Sequence, residues 1–134
     1  MLTLTLDQRD AMIAQCVRAL PNEGCGLLLG RDDSVTDVVP SPNVADSARV
    51  YEVDSGVLLR AYRRADAEGL SVLGVFHSHT RSAAVPSPTD VAQAPDPEWH
   101  YVLVSLRDVP TEVRSYRIVG DDVKEEPIDL TGGE

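Results

Sequence analysis

"SVLGVFHSHTRSAAVPSPTD", residues 71–90, decides how this chain is read. Residues 71–79 have the apolar, β-favouring composition of a buried strand, and the rest is a loop running into a helix start near Ser87. On a strand, residues two apart point to one face, so His77 and His79 project together while Ser78 points the other way. Two imidazoles so placed can meet one ion at the Zn–N distance of about 2.0–2.1 Å. Asp90 follows after a loop stiffened by Pro86 and Pro88, long enough to bring a carboxylate to the same point. Two nitrogens and one oxygen suit a catalytic zinc, which keeps a fourth position for water and lowers that water's pKa to about 7. The same residues also read as plain structure. Ser87 is a good N-cap, Pro88 fits the first helical position, and Asp90 the capping-box acid, while His-x-His can be a half-exposed polar pair. Spacing alone leaves both readings open, and they are compatible, because a cap that fixes the helix start also fixes Asp90.

Around this stretch the periodicity predicts alternating elements. "LTLTL" is a strand, and Asp7 caps a helix whose apolar stripe is Ile13, Cys16, Val17 and Leu20, ended by Pro21-Asn22. "GCGLLLG" (24–30) is a buried strand, "RDDS" a turn, "VTDVV" (35–39) its antiparallel return and "RVYEV" (49–53) a further strand. Asp54 and Ser55 open a second helix, with Val57, Leu58, Ala61, Tyr62 and Ala65 inward and Arg60, Arg63 and Arg64 outward. A short helix near Thr89–Ala94 precedes the strand "HYVLVSL" (100–106), and "EVRSYRIV" with "VKEEPIDL" forms a closing hairpin turning at Gly120-Asp121. The fold class is therefore α/β or α+β: a mixed, mainly antiparallel sheet flanked by two main helices and a short third.

At 134 residues, without repeat or linker, the sequence reads as one domain covering 1–134, its last few residues flexible. Twelve basic against 22 acidic residues give a formal charge of −10, which repels phosphate backbones and anionic lipid and argues against nucleic acid and membrane as partners. Asp7 and Asp10 interrupt any signal-peptide pattern, and two cysteines, Cys16 and Cys25, are too few for a disulfide scaffold, so a cytoplasmic location is expected. His100 reads as a strand-end residue, Cys16 and Cys25 as small buried residues, and Trp99 with Tyr101 as packing. The terminal Gly132-Gly133 reads as part of a flexible end.

His77-Ser-His79, seven residues, Ser87, two residues and Asp90 together resemble the signature of the JAMM (MPN+) metalloproteases. The resemblance implies a cytidine-deaminase-like α+β fold and one Zn2+ per chain on His77, His79 and Asp90, with water as the fourth ligand. It implies that Ser87 helps stabilise the tetrahedral intermediate and that Glu23, in "PNEGCGLLLG", is the general base. Without it, Glu23 is one turn carboxylate among 22 acids. "YEVDSGVLLRAYRRADAEG", "HYVLVSLRD" and "EVRSYRIVGDDVKEEP" are similar to the bacterial branch that acts on ubiquitin-like sulfur carriers. Thr80, where deubiquitinating members usually have proline, and the lack of room for insertions point the same way. The implied substrate is a ubiquitin-like sulfur-carrier protein whose C-terminal Gly-Gly tail is joined to cysteine or lysine. The alternative is a non-catalytic scaffold of the same fold, although such members typically lack the ligands. The DNA-associated RadC branch is disfavoured by charge, and a nucleobase deaminase needs His-x-Glu and Cys-x-x-Cys, which are absent.

Overall fold

Alternation over β1 (Leu2–Thr5) buries Leu2 and Leu4 and hands the chain directly to α1 (Leu6–Ala19) in a computed structural model that describes residues 1–132. Gly133 of the terminal Gly-Gly pair lies outside the described residues, as does Glu134, so the expected flexible end is largely beyond them. The helix is capped by Thr5, not by Asp7. Thr5 Oγ1 accepts from the Gln8 amide while Gln8 Oε1 accepts from the Thr5 amide, a closed capping box that leaves Asp7 in the first turn. The buried stripe is also rotated from the expected one: Met12 and Cys16 are buried, Ile13 packs beside them, and Val17 and Leu20 face out. The helical period fixes a stripe's width, but its rotation is set by the sheet beneath it.

Strands β2 (Cys25–Arg31) and β3 (Ser34–Ser41) form the expected antiparallel pair, turning at Asp32 and Asp33 with φ of 50° and 64°. Residues 49–53, expected as a strand, are instead loop, meeting residues 43–44 through an isolated Asn43–Val53 bridge and a Val44 amide to Glu52 carbonyl hydrogen bond. Side chains there do what a neighbouring strand would have done. Asn43 Nδ2 donates to the carbonyls of Glu23, Ser47 and Val50, and its Oδ1 accepts from the amides of Ala45 and Glu52. Helix α2 (Ser55–Glu68) begins at Asp54, which accepts from the Val57 amide at 3.0 Å, and ends at Gly69 in the left-handed conformation. Ala61 and Ala65 are its buried residues, whereas Tyr62 is largely exposed.

Strand β4 (Ser71–His79) leads through the proline loop to α3 (Pro88–Ala92), followed by β5 (His100–Ser105), β6 (Glu112–Val119), β7 (Asp122–Glu126) and β8 (Ile128–Thr131). The sheet order is β7-β6-β5-β4-β2-β3-β1-β8, with β4/β5, β1/β3 and β1/β8 parallel and the other pairs antiparallel. This is the mixed α+β architecture expected. Close approach of β4 and β5 explains Gly74: a Cβ there would stand 2.0 Å from the His100 carbonyl oxygen. One sheet face packs Leu27, Val75, Tyr101 and Leu103 with Ala61 and Ala65 of α2, and the other packs Leu28, Phe76 and Val102 with Met12 and Cys16 of α1. His77 and His79 share the parity of Val75 and therefore the α2 face. No helix among the described residues is long and apolar enough to cross a membrane.

The closing hairpin is only half as expected. β6 and β7 pair as predicted, turning at Gly120, but Pro127 has no N–H for the ladder and the next strand leaves it. β8 pairs with β1 at the far edge of the order, so the two edges of the sheet are separated by Pro127 alone. Glu126 pins this seam. Its carboxylate meets His100 Nδ1 at 2.5 Å, Ser115 Oγ at 2.7 Å and the Met1 amine at 3.1 Å, and Arg117 Nη1 lies 3.2 Å and 3.4 Å from the two nitrogens of the His100 ring. Burial raises its pKa, but the hydrogen bonds from His100, Ser115 and the amine outweigh that and hold it down to about 2, against 4.5 ordinarily. A depressed acid stabilises the fold fully above its unfolded pKa, and the contribution disappears as pH falls through the folded value. Stability is therefore expected to drop between pH 4.5 and 2 by an amount on the order of 2–3 kcal/mol from this group. Urea titrations of wild type and Glu126→Gln at pH 7 and pH 3 check it: the stability gap between the two proteins should narrow at pH 3, and an unchanged gap would contradict the assignment.

Candidate metal centre

β2 and β4 run antiparallel with Cys25 opposite His77, so the residues just before β2 lie over the end of β4. That register carries Glu23 to the histidines. The Gly24 amide donates to Ser78 Oγ at 2.8 Å and the Ser78 amide to the Gly24 carbonyl at 3.0 Å, a clamp made by the one residue of His-Ser-His that points away. Glu23 is further held by its amide, which donates to the Ser47 carbonyl at 2.9 Å. The residue is 2 % exposed, and its Oε1 lies 3.2 Å from His77 Nδ1.

Ser87 and Asp90 arrive as a capping box. Ser87 Oγ accepts from the Asp90 amide at 3.1 Å, and Asp90 Oδ2 accepts from the Ser87 amide at 2.9 Å. The same Oδ2 is 2.9 Å from His79 Nε2, while Oδ1 is 3.8 Å from His77 Nε2. The cap and the carboxylate facing the histidines are thus one arrangement. His79 Nδ1 donates to the Ala83 carbonyl at 2.9 Å, which sets the ring's orientation and turns Nε2 toward Asp90. Burial opposes charge on His79, but the hydrogen bonds to Asp90 and Ala83 outweigh it and raise its pKa. Burial likewise opposes charge on Asp90, and the contacts to His79 and His77 outweigh it and lower its pKa.

The structure brings Glu23, His77, His79, Ser87 and Asp90 to one place, and all but the half-buried Ser87 are buried. Two donor sets share the histidines. Glu23, His77 and His79 offer atoms within 4.8 Å of one another, and His77 with His79 also faces Asp90 through both Nε2 atoms. Either set is two imidazole nitrogens and a carboxylate oxygen, a donor chemistry that fits zinc. Four titratable groups meeting out of water can bind a divalent cation, move a proton, or both.

Some residues of the site carry no signal in the sequence. The Tyr51 ring stacks on His77, centroids 4.0 Å apart and 16° from parallel. Contacts of this kind join positions far apart in the chain, and no local pattern announces them. Cys25, two positions after Glu23, lies with its thiol toward the carbonyls of Ser41 and Pro42, and burial pushes its pKa up to about 11, so it is an unreactive thiol. Cys16 is likewise buried and pushed up to about 12. His100 lies opposite Gly74, three residues upstream of His77 in the ladder, and is engaged by Glu126 and Asp33 instead. Trp99 and Tyr101 are core residues, and Trp99 also lines an apolar cavity of about 400 Å³ that extends to Tyr51.

The family model of prokaryotic homologs of the JAB domain matches residues 5–119. The chain is similar to a protein of Mycobacterium tuberculosis named CysO-cysteine peptidase, 42 % identical over 133 residues that cover 96 % of this chain and 90 % of the relative. Its backbone is similar to the solution structure of protein DSY2949 of Desulfitobacterium hafniense, at 38 % identity and a TM-score of 0.89 over 98 % of this chain and 93 % of that one. A JAB1/MPN domain protein of Archaeoglobus fulgidus shares the fold, with a TM-score of 0.66 at 16 % identity over 98 % of this chain and 97 % of that one.

Proposed function

The chain belongs to the family of prokaryotic JAB-domain homologues and is a JAMM-type protease, and from that premise we propose that it hydrolyses the bond after the C-terminal Gly-Gly of a ubiquitin-like sulfur-carrier protein joined to cysteine or lysine. In this reading residues 1–134 act as one catalytic domain. His77, His79 and Asp90 would hold one Zn2+ per chain, with water as the remaining ligand, while Glu23 is the general base and Ser87 stabilises the oxyanion. When bound, zinc supplies Lewis-acid polarisation of the scissile carbonyl and lowers the pKa of water to about 7.

The rest of the chemistry belongs to the chain's own groups. Glu23 takes a proton from the attacking water, whose oxygen adds to the glycine carbonyl carbon. The C–N bond then breaks, and Glu23 returns the proton to the departing nitrogen, giving a free amine and the carrier's carboxylic acid, which releases its remaining proton to solvent as the carboxylate. Ser87 Oγ spends its lone pair on the Asp90 amide, which leaves its hydrogen to donate to the oxygen of the tetrahedral intermediate. Tyr51, stacked on His77, walls the site from the apolar side. The observation that carries the reading is the buried meeting of two imidazoles with Glu23 and Asp90 at the end of β4. Its test is CysO carrying a C-terminal cysteine as probe, incubated with the protein and zinc or with the protein and chelator, and followed by mass. Metal-dependent loss of the cysteine is the expected result; intact probe with one zinc bound per chain would overturn the substrate while leaving the metal centre.

Ser87→Ala is expected to reduce kcat by about 10²–10³-fold, as loss of an oxyanion donor does. It should also cost about 1 kcal/mol of stability through the lost helix cap. Turnover measured beside a thermal melt separates the two: a stability loss with kcat intact would leave Ser87 as a cap alone.

A further inference from the structure

The centre is bordered by two cavities of different chemistry. One, of about 400 Å³, is mostly apolar and reaches Tyr51, Val53, Val75 and Trp99. The other, of about 760 Å³, is lined by Glu23, His79 and Ser87 together with Thr80, Arg49 and Arg81. Both arginines are exposed, and neither meets a carboxylate among the described residues. Arg18, Arg31, Arg60, Arg63 and Arg117 also lack a carboxylate partner there, but none of them lines this cavity, so Arg49 and Arg81 are set apart by their place beside Glu23, His79 and Ser87.

The two arginines are brought to one rim by a specific tie. Thr80 Oγ1 donates to the Ala48 carbonyl at 3.3 Å, joining the loop after β4 to the loop before α2. Arg49 and Arg81 are the next residues on each side of that bond. A proline at position 80 would have no hydroxyl to make it. Arg49 is also linked to the proton-transfer residue: its amide donates to Ser47 Oγ at 3.0 Å, and the Ser47 carbonyl holds the Glu23 amide.

Geometry decides which part of the substrate meets them. Glu23 must return its proton to the departing nitrogen, so that nitrogen stands within hydrogen-bond reach of Glu23, on the wall of the basic cavity. If the departing group is one free amino acid, its α-carboxylate is two bonds from that nitrogen and enters the same cavity. If it is a lysine side chain within a protein, no carboxylate is near. Guanidinium groups bind carboxylates through two parallel hydrogen bonds, and an arginine not already paired is available to do so. We infer that Arg49 and Arg81 form a subsite for the free α-carboxylate of a single amino acid following the carrier's Gly-Gly, so that the enzyme removes one terminal residue rather than cutting isopeptide bonds to lysine. This rests on the proposed function and narrows its substrate.

The test compares CysO–cysteine bearing a free carboxylate with the same probe ending in a carboxamide, using zinc-loaded wild type and the double variant Arg49→Gln/Arg81→Gln. Wild type is expected to cleave the acid about 10–100-fold faster in kcat/KM, the range of a charged hydrogen bond made in a partly enclosed site. The double variant should bring that ratio close to one. Equal rates on acid and amide by wild type would overturn the subsite. So would a double variant that slows both probes by the same factor, which would assign the arginines to the body of the carrier. Cleavage of neither probe by wild type would remove the proposed activity itself, a result distinct from cleavage without preference.

Discussion

Replacing Glu23 with glutamine is expected to lower turnover of the carrier–cysteine probe by about 10²–10⁴-fold, the usual contribution of a positioned general base, with zinc content unchanged. Glutamine has nearly the same shape, so the buried space is still filled and the amide of residue 23 still reaches the Ser47 carbonyl. What is lost is the ability to take up a proton and give it back. The experiment also separates the two donor sets around the histidines. Glu23 belongs to one group of three that could hold a metal, while Asp90 faces both Nε2 atoms from the other side. A Glu23→Gln protein that keeps one zinc per chain and loses activity identifies Glu23 as the base. A protein that loses zinc as well identifies it as a ligand, and full activity removes it from both roles. Zinc content after dialysis, measured by elemental mass spectrometry beside kcat, gives the answer.

Asp90→Asn is expected to reduce zinc affinity by more than about 100-fold, since changes to groups that merely support a metal ligand already cost 10–100-fold. The fold should survive. Asparagine retains a side-chain oxygen that can accept from the Ser87 amide, so the capping box loses its charge but not its acceptor. Asp90→Ala removes both functions and should lose about 1 kcal/mol in addition. The pair of variants distinguishes a carboxylate that only starts a helix from one that also binds metal. Equal zinc affinity in wild type and Asp90→Asn would leave Asp90 as a cap. Competition with a zinc-sensitive dye measures the affinity, and thermal melts the stability.

The site was legible in the sequence wherever its geometry is local. His77 and His79 share a face because strands alternate, and Ser87 and Asp90 sit as they do because Ser-Pro-Thr-Asp starts a helix. Glu23 was reachable only through the family resemblance, because its place depends on the register of β2 against β4, a pairing across about fifty residues. The fold divides in the same way. β4, β5 and the β2/β3 pair were readable from runs of apolar residues and turn chemistry. The rotation of α1 was not, since contact with the sheet sets it. Residues 49–53 have a strand's composition and no strand's partner, because Asn43 took the backbone groups that a ladder would have used. Pro127 falls inside the segment expected as the hairpin's second strand, and that β8 leaves the hairpin there to join β1 is a property of the sheet as a whole.

That last pairing has a consequence for how the molecule is made. β1 leaves the ribosome first of the eight strands and β8 last, yet β1 shares four rungs with β8, from Leu2–Ile128 to Thr5–Thr131, and one with β3. At 5–20 residues per second the first strand waits roughly 6–25 s for its main partner. The elements that carry Glu23, His77, His79 and Asp90 are all synthesised within that interval. The nascent chain can therefore bring these groups together while β1 still lacks its main partner, and β8, made last of the strands, completes that pairing. A chain ending just before Pro127 would hold Glu23, His77, His79 and Asp90 and would present β1 to its neighbours without the four rungs it shares with β8, the kind of product that quality control must remove.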